Sequence, residues 1–150
     1  MSVFKCCFGT KIEKIKTYRQ AKKVEAVLGD ISKSNKWIQL ITMFDPNGQI
    51  VANVVPTVID DKVYEDIMKK VVLFKSSWDS MAEKIGFDNS GEVYLKGKNS
   101  ILLLTSIVEF TIAIYFEMNE LKVEFFDWEH FISTLDDFVV NLHKLMTAED

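Results

Sequence analysis

Asp45-Pro46-Asn47-Gly48 stands between two runs of strand-like side chains and restricts the fold more than any other feature of the chain. Proline presets φ at the first central position of a turn, asparagine tolerates the second, and glycine accepts the positive φ that closes a bulged hairpin. Residues 37–44 lead in, with Ile38, Leu40, Thr42 and Phe44 expected on one face, and residues 49–55 lead out to Pro56. A link this short joins only antiparallel neighbours, so an all-helical chain and an all-parallel sheet are both excluded.

The flanking segments have helical period. Ile12, Ile15, Tyr18, Ala21, Val24, Val27, Leu28 and Ile31 recur at steps of three and four, with lysines between them, which predicts a helix over residues 12–31. Thr57-Val58-Ile59-Asp60 has the form of a capping box ahead of a second, longer helix over 60–85. Its stripe is Val63, Ile67, Val71, Phe74, Trp78, Met81 and Ile85, and Gly86 is the expected stop. In its middle, Val71, Val72, Leu73 and Phe74 are consecutive, so apolar side chains point around the whole cylinder and one sheet can cover only one side of it.

Three strand-like runs follow, at 92–96, 100–106 and 110–118, joined by short links, and a closing helix is expected over 126–146. The order α-β-β-α-β-β-β-α predicts an α+β fold with one antiparallel five-stranded sheet and helices on its faces. The 150 residues suit one domain, read as a terminal arm over 1–10 and a single folded unit over 11–150.

No familiar catalytic arrangement stands in the chain. His130 and His143 are more than three helical turns apart on one rod, too far to share a metal ion. Gly91-Glu92-Val93-Tyr94-Leu95-Lys96-Gly97-Lys98-Asn99 imitates a phosphate loop but is one residue too long, has Asn99 in place of the magnesium-holding hydroxyl, and lies between strands. Asp60-Asp61, Glu65-Asp66 and Asp136-Asp137 are paired with no nucleophile or base in a recognisable motif. The expectation is a protein without enzymatic activity, metal or cofactor.

Charge is unevenly distributed. Residues 1–36 carry nine Lys/Arg against three acids, a net of +6, while the other 114 residues carry nine against nineteen, a net of −10. Such a segment suits either the solvated face of a surface helix or an anionic membrane contact; nucleic acid is not an expected partner. Cys6 and Cys7 are adjacent and cannot bridge a fold. As acylation sites beside the lysines they would form a two-signal membrane anchor, and as unmodified thiols they need no role. Residues 1–5 lack an apolar run of signal-peptide length and no apolar run reaches transmembrane length, so the expected address is cytoplasmic, with peripheral membrane attachment through the arm.

The segment Ile41-Thr42-Met43-Phe44-Asp45-Pro46-Asn47-Gly48-Gln49-Ile50-Val51-Ala52 resembles the Asp-x-x-Gly-x-x-x-Ala hairpin of the Roadblock (dynein light chain) family. The long amphipathic helix is similar too, as are Val93-Tyr94-Leu95-Lys96-Gly97-Lys98 and then Leu102-Leu103-Leu104; the likeness spans about residues 12–118. It implies a profilin-like sheet sandwiched by helices, dimers built from side-by-side central helices and paired edge strands, and a scaffold or regulator of small Ras-like GTPases. The longer closing helix and the basic arm depart from the minimal family pattern. On this reading the dimer interface, with itself or a related Roadblock protein, comprises Met68, Val71, Val72, Phe74, Lys75, Val93 and Leu95. The GTPase surface comprises Glu65, Lys69, Lys75, Asp79 and Glu83. The alternative is a PAS- or GAF-like ligand sensor, which requires a cavity with convergent polar groups; Thr42, Thr105 and Thr111 are its few candidates.

Overall fold

The computed structural model describes residues 11–56, 59–87, 92–107, 109–118 and 123–147, with backbone alone for 11–21. Helix α1 (Lys11–Lys33) precedes the hairpin of β1 (Ile38–Phe44) and β2 (Ile50–Val54). Helix α2 (Asp61–Ile85) crosses to three further strands, β3 (Glu92–Lys96), β4 (Ser100–Ile107) and β5 (Phe110–Glu117), and helix α3 (Trp128–Thr147) closes the chain. The sheet order is β2-β1-β5-β4-β3, antiparallel throughout, so the two hairpin systems join where β1 meets β5.

The first hairpin forms as its residues demand. The Asp45 carboxylate accepts from the backbone N–H groups of Asn47 and Gln49, both at 2.9 Å, and Gly48 sits at φ +80°. Phe44 pairs with Ile50 while Met43 pairs with Ala52, which leaves Val51 as the extra residue of a bulge.

A second irregularity corrects the expected faces of β1. The register against β5 shifts between Ile38 and Leu40, so the alternation restarts. Ile38 consequently joins Ile41 and Met43 on one face, whereas Leu40 and Phe44 occupy the other.

The layers are unequal. On one face α1 and α3 lie side by side, and Val24, Leu28, Phe131, Leu135 and Leu142 pack onto Ile101, Leu103, Ile112, Ile114 and Phe116. On the other face α2 is the only described helix, with Ile67 and Val71 seated on Leu40, Phe44, Leu102, Leu104, Ala113 and Tyr115. The closing helix therefore does not cover the outer side of α2. Among the described residues, no helix is long and apolar enough to cross a membrane.

Candidate interaction surface on helix α2 and strand β3

Both ends of α2 are fixed by local chemistry. Asp60, in an extended conformation, accepts from the Lys62 N–H at 2.8 Å and is the N-cap. This corrects the capping box expected from Thr57 to Asp60, whose first two residues lie outside the described ones. Gly86 has φ +66°, and the Gly86 and Phe87 N–H groups donate to the carbonyls of Glu83 and Ala82 in a Schellman ending. Phe87 folds back edge-on against Trp78, with ring centroids 5.6 Å apart.

Polar and aromatic contacts set how α2 lies on the sheet. Thr42 is fully buried and donates to Asn53 Oδ1 at 2.8 Å, and the Asn53 amide donates to the Tyr64 hydroxyl. The Thr42 hydroxyl also lies 3.7 Å from Met68 Sδ, so this flank of α2 is tied to β1 and β2. The Lys70 ammonium stands 5.8 Å from the centre of the Tyr115 ring, which puts the opposite flank over β5.

The face beyond β5 is thinly covered. Leu95, opposite Leu102 on β4, is 58 % exposed, and Val93, opposite Leu104, is half-buried. Among the described residues β3 pairs only with β4, so its other edge has no strand partner there. Its reverse side is anchored, because Tyr94 stacks on Trp128 of α3 with centroids 4.4 Å apart and Lys96 lies over the same indole. That brace holds the edge strand in place from the α3 side and leaves Leu95 exposed on the other.

The outer side of α2 is mostly polar, with Lys62, Glu65, Lys69, Ser76, Ser80 and Glu83 exposed, and a few large apolar side chains interrupt it. Leu73 is 66 % exposed, and Val63, Val72, Met81 and Ile85 are exposed as well. Val63 and Met81 stand five helical turns apart and so lie on one line along the helix. Next to Met81 and Ile85 a shallow groove is floored by Ser76, Ser77 and Ser80.

The residues expected at the dimer interface divide accordingly. Val72 and Leu95 are exposed, Val72 one turn on from Met68 on the β1–β2 flank and Leu95 on β3, whereas Val93 is half-buried and Met68 and Phe74 are half-buried against the sheet cluster. Val71, at 0 % exposure, is enclosed in the chain's own core and has no surface to offer a partner. Lys75 corrects both expected sets. It continues the sheet-facing row of Ile67 and Val71, is 8 % exposed, and its ammonium bonds Asp79. A lysine can occupy such a row because its four-carbon stem packs as an apolar chain and only its tip needs a partner. Glu65, Lys69 and Glu83 are exposed, with Asp79 at the margin. Sequence reasoning left out Leu73, although it belongs to the all-round apolar stretch that signalled a second buried side. Cys6 and Cys7 lie outside the described residues.

The sensor alternative finds no support in the threonines. Thr42 is engaged with Asn53, Thr105 is buried in β4, and Thr111 is at the start of β5. The cleft beside the start of α3, about 230 Å³, is lined instead by residues such as Trp37, Phe126 and His130. Among the described residues, no cluster of His, Cys, Asp and Glu is placed to hold a metal ion.

No family model matches the sequence, and no curated protein does. Solved structures do match it. MglB of Myxococcus xanthus aligns over 83% of this chain and 94% of its own, at 15% identity and a TM-score of 0.61. An MglB structure with a tetrameric arrangement aligns over 84% and 89%, at 11% identity and 0.61. A Roadblock/LC7 domain from Streptomyces avermitilis aligns over 79% and 97%, at 10% identity and 0.55. Identities this low speak to architecture, and that architecture is clear: the chain has the Roadblock domain fold, extended by a long closing helix.

Proposed function

We propose that this protein is a non-enzymatic dimeric platform that binds a small Ras-like GTPase. The observation that carries the reading is the set of large apolar side chains that α2 leaves exposed, Leu73 and Met81 among them, together with the open, braced edge of β3, on a Roadblock fold. Large apolar side chains left in water near an open strand edge suit a protein contact. An open edge strand supplies backbone hydrogen bonds for a copy of itself. Pairing β3 with the β3 of a second copy, or of a related Roadblock protein, would continue the sheet and bring the two α2 helices side by side. The tetrameric arrangement of one MglB neighbour supports self-association as a use of this fold.

Apolar Leu73 and Met81 serve the dimer in this reading, and Glu65, Lys69 and Glu83 on the same helix face the GTPase. Rim charges of that kind set association rate and partner choice more than affinity. The test is to immobilise the purified protein, load it with cell extract in the presence of GTP analogue or GDP, and identify captured Ras-like G domains by mass spectrometry. A G domain retained by wild type and weakened by Lys69→Glu, with an unchanged melting temperature, supports the proposal. GTP hydrolysis by the purified protein alone, or capture of no small GTPase in either nucleotide state, overturns it.

A further inference from the structure

We propose that the cleft beside the start of α3 binds a small, neutral heteroaromatic ring that carries both a ring N–H and a carbonyl oxygen. The site is separate from the α2 surface, because its aromatic residues belong to the sheet face covered by α1 and α3. Trp37, just before β1, lines it together with Phe125, Phe126 and Phe131 around the start of α3. Two of these rings are fixed by their neighbours. Phe126 and Phe131 stand 5.3 and 5.1 Å from the fully buried Phe116 ring, and Phe126 lies 4.8 Å from Trp128. Phe125 is 74 % exposed, a large ring left in water at the cleft. A cavity of about 150 Å³ takes benzene, so the 230 Å³ here has room for one planar ring system.

The polar groups decide which ring. The Ser34 and Thr134 hydroxyls, also in the lining, already donate to the carbonyls of Ile31 and His130. Asn35 accepts from the Trp37 N–H through Oδ1 at 2.8 Å, and its Nδ2 donors have no partner among the described residues. Asp127, the N-cap of α3, accepts from the His130 N–H through Oδ1 at 3.0 Å, and its Oδ2 is likewise open. The cleft therefore offers an amide donor from the α1–β1 link and a carboxylate acceptor from the entry to α3. A purely apolar side chain of a protein partner would bury both groups unpaired, at the full desolvation cost of each. Charge selects neither sign, since Lys33 and Lys36 adjoin the lining residues on one side and Glu124 and Glu129 on the other. The Lys36 ammonium already lies 4.9 Å over the Trp37 ring, which disfavours a cationic ligand there. A neutral ring whose N–H meets Asp127 and whose carbonyl meets Asn35 leaves nothing unpaired.

The experiment is an NMR titration of the full chain with 2-quinolinone, a fused ring with one N–H and one carbonyl. Saturable shifts should appear at Asn35, Trp37 and Asp127, with a dissociation constant below about 1 mM for a ligand of this size. 1-Methyl-2-quinolinone, which lacks the N–H, should bind at least about tenfold more weakly, because it forfeits a hydrogen bond to a carboxylate. Asp127→Asn keeps a good N-cap and hence the melting temperature, but should abolish the preference between the two probes. Asn35→Asp keeps the acceptor for the Trp37 N–H and should weaken 2-quinolinone at least about tenfold by setting a carboxylate against its carbonyl. No saturable shift at the cleft, equal affinity for the two quinolinones, a preference retained by Asp127→Asn, or tighter binding of N-acetyltryptophanamide each overturns the proposal. Leu73→Asp should bind 2-quinolinone as wild type does, so the outcome here is read independently of the dimer and of any GTPase.

Discussion

Leu73→Asp is the substitution that bears most directly on the α2 surface. Leu73 is the central residue of α2 and is 66 % exposed. In an antiparallel pair of α2 helices crossing at their midpoints it would meet its own copy. Fully burying a leucine is worth about 1.5–3 kcal/mol, so covering two-thirds of one contributes roughly 1–2 kcal/mol. A two-fold interface counts every change twice, which brings the loss to about 2–4 kcal/mol per dimer before any charge effect. Two aspartates facing each other across the axis add repulsion and desolvation. Since each 1.4 kcal/mol is about tenfold, the dissociation constant should rise at least about thirtyfold. The monomer should keep its fold, because the side chain already faces water. Multi-angle light scattering over a dilution series from about 1 to 100 µM reads this directly. Wild type should approach twice the 17.3 kDa chain mass at the top of the range, and Leu73→Asp should stay at that single-chain mass. A wild type that remains at one chain mass throughout, or a Leu73→Asp protein as dimeric as wild type, refutes the reasoning.

Val71→Ala, two residues away, should behave in the opposite manner: about 2–3 kcal/mol of stability lost to transfer and cavity terms, seen as a lower midpoint in urea with an unchanged slope. Gly86→Ala should cost about 1–2 kcal/mol although nothing stands within 4 Å of the added methyl group, because the φ of +66° is the whole obstacle. Gly86→Asn should cost less, and thermal melts of the two rank them. Lys75→Met should leave the melting temperature within a few degrees of wild type, since the stem's packing is kept and Asp79 can turn to water, whereas Lys75→Glu should lower it clearly by setting a carboxylate against Asp79.

Those contrasts mark where the sequence was readable. The turn at residues 45–48 could be read because each of its residues answers a separate steric requirement, and the structure meets them all at Asp45 and Gly48. The helix periods were legible for the same reason, as was the stop at Gly86. The face of Ile38 was not. A one-residue slip between β1 and β5 inverts the alternation upstream of it, and nothing in Ile38-Gln39-Leu40 announces the slip. Lys75 was misplaced because a charge in an amphipathic pattern is taken as solvent-facing; its pairing with Asp79 one turn later looks the same on an exposed face as on a buried one. Val71 and Leu73 could not be separated by hydropathy, since both are apolar and only the angle of the sheet decides which is enclosed.

The unequal layering explains why an interface belongs on the α2 side. With a five-stranded sheet, two helices are needed to cover one face, and α1 and α3 together do so with Phe131, Leu135 and Leu142 meeting Val24, Leu28 and Ile31. On the other face, among the described residues, α2 has no second helix beside it. Its ties through Tyr64 and Met68 hold it over β1 and β2, which leaves Leu95 in water on the β3 side. A second copy joined edge to edge at β3 would bring its own α2 into that gap, so the helix missing from each layer would be supplied by the partner. The same geometry sets the demand on β3: an edge strand that pairs with its copy must be held straight without being covered. The Tyr94–Trp128 stack meets that demand from the far face. Trp128→Ala should therefore weaken the dimer through β3 while leaving every α2 contact in place, and a Trp128→Ala protein with wild-type dimer mass would show that the edge needs no such brace.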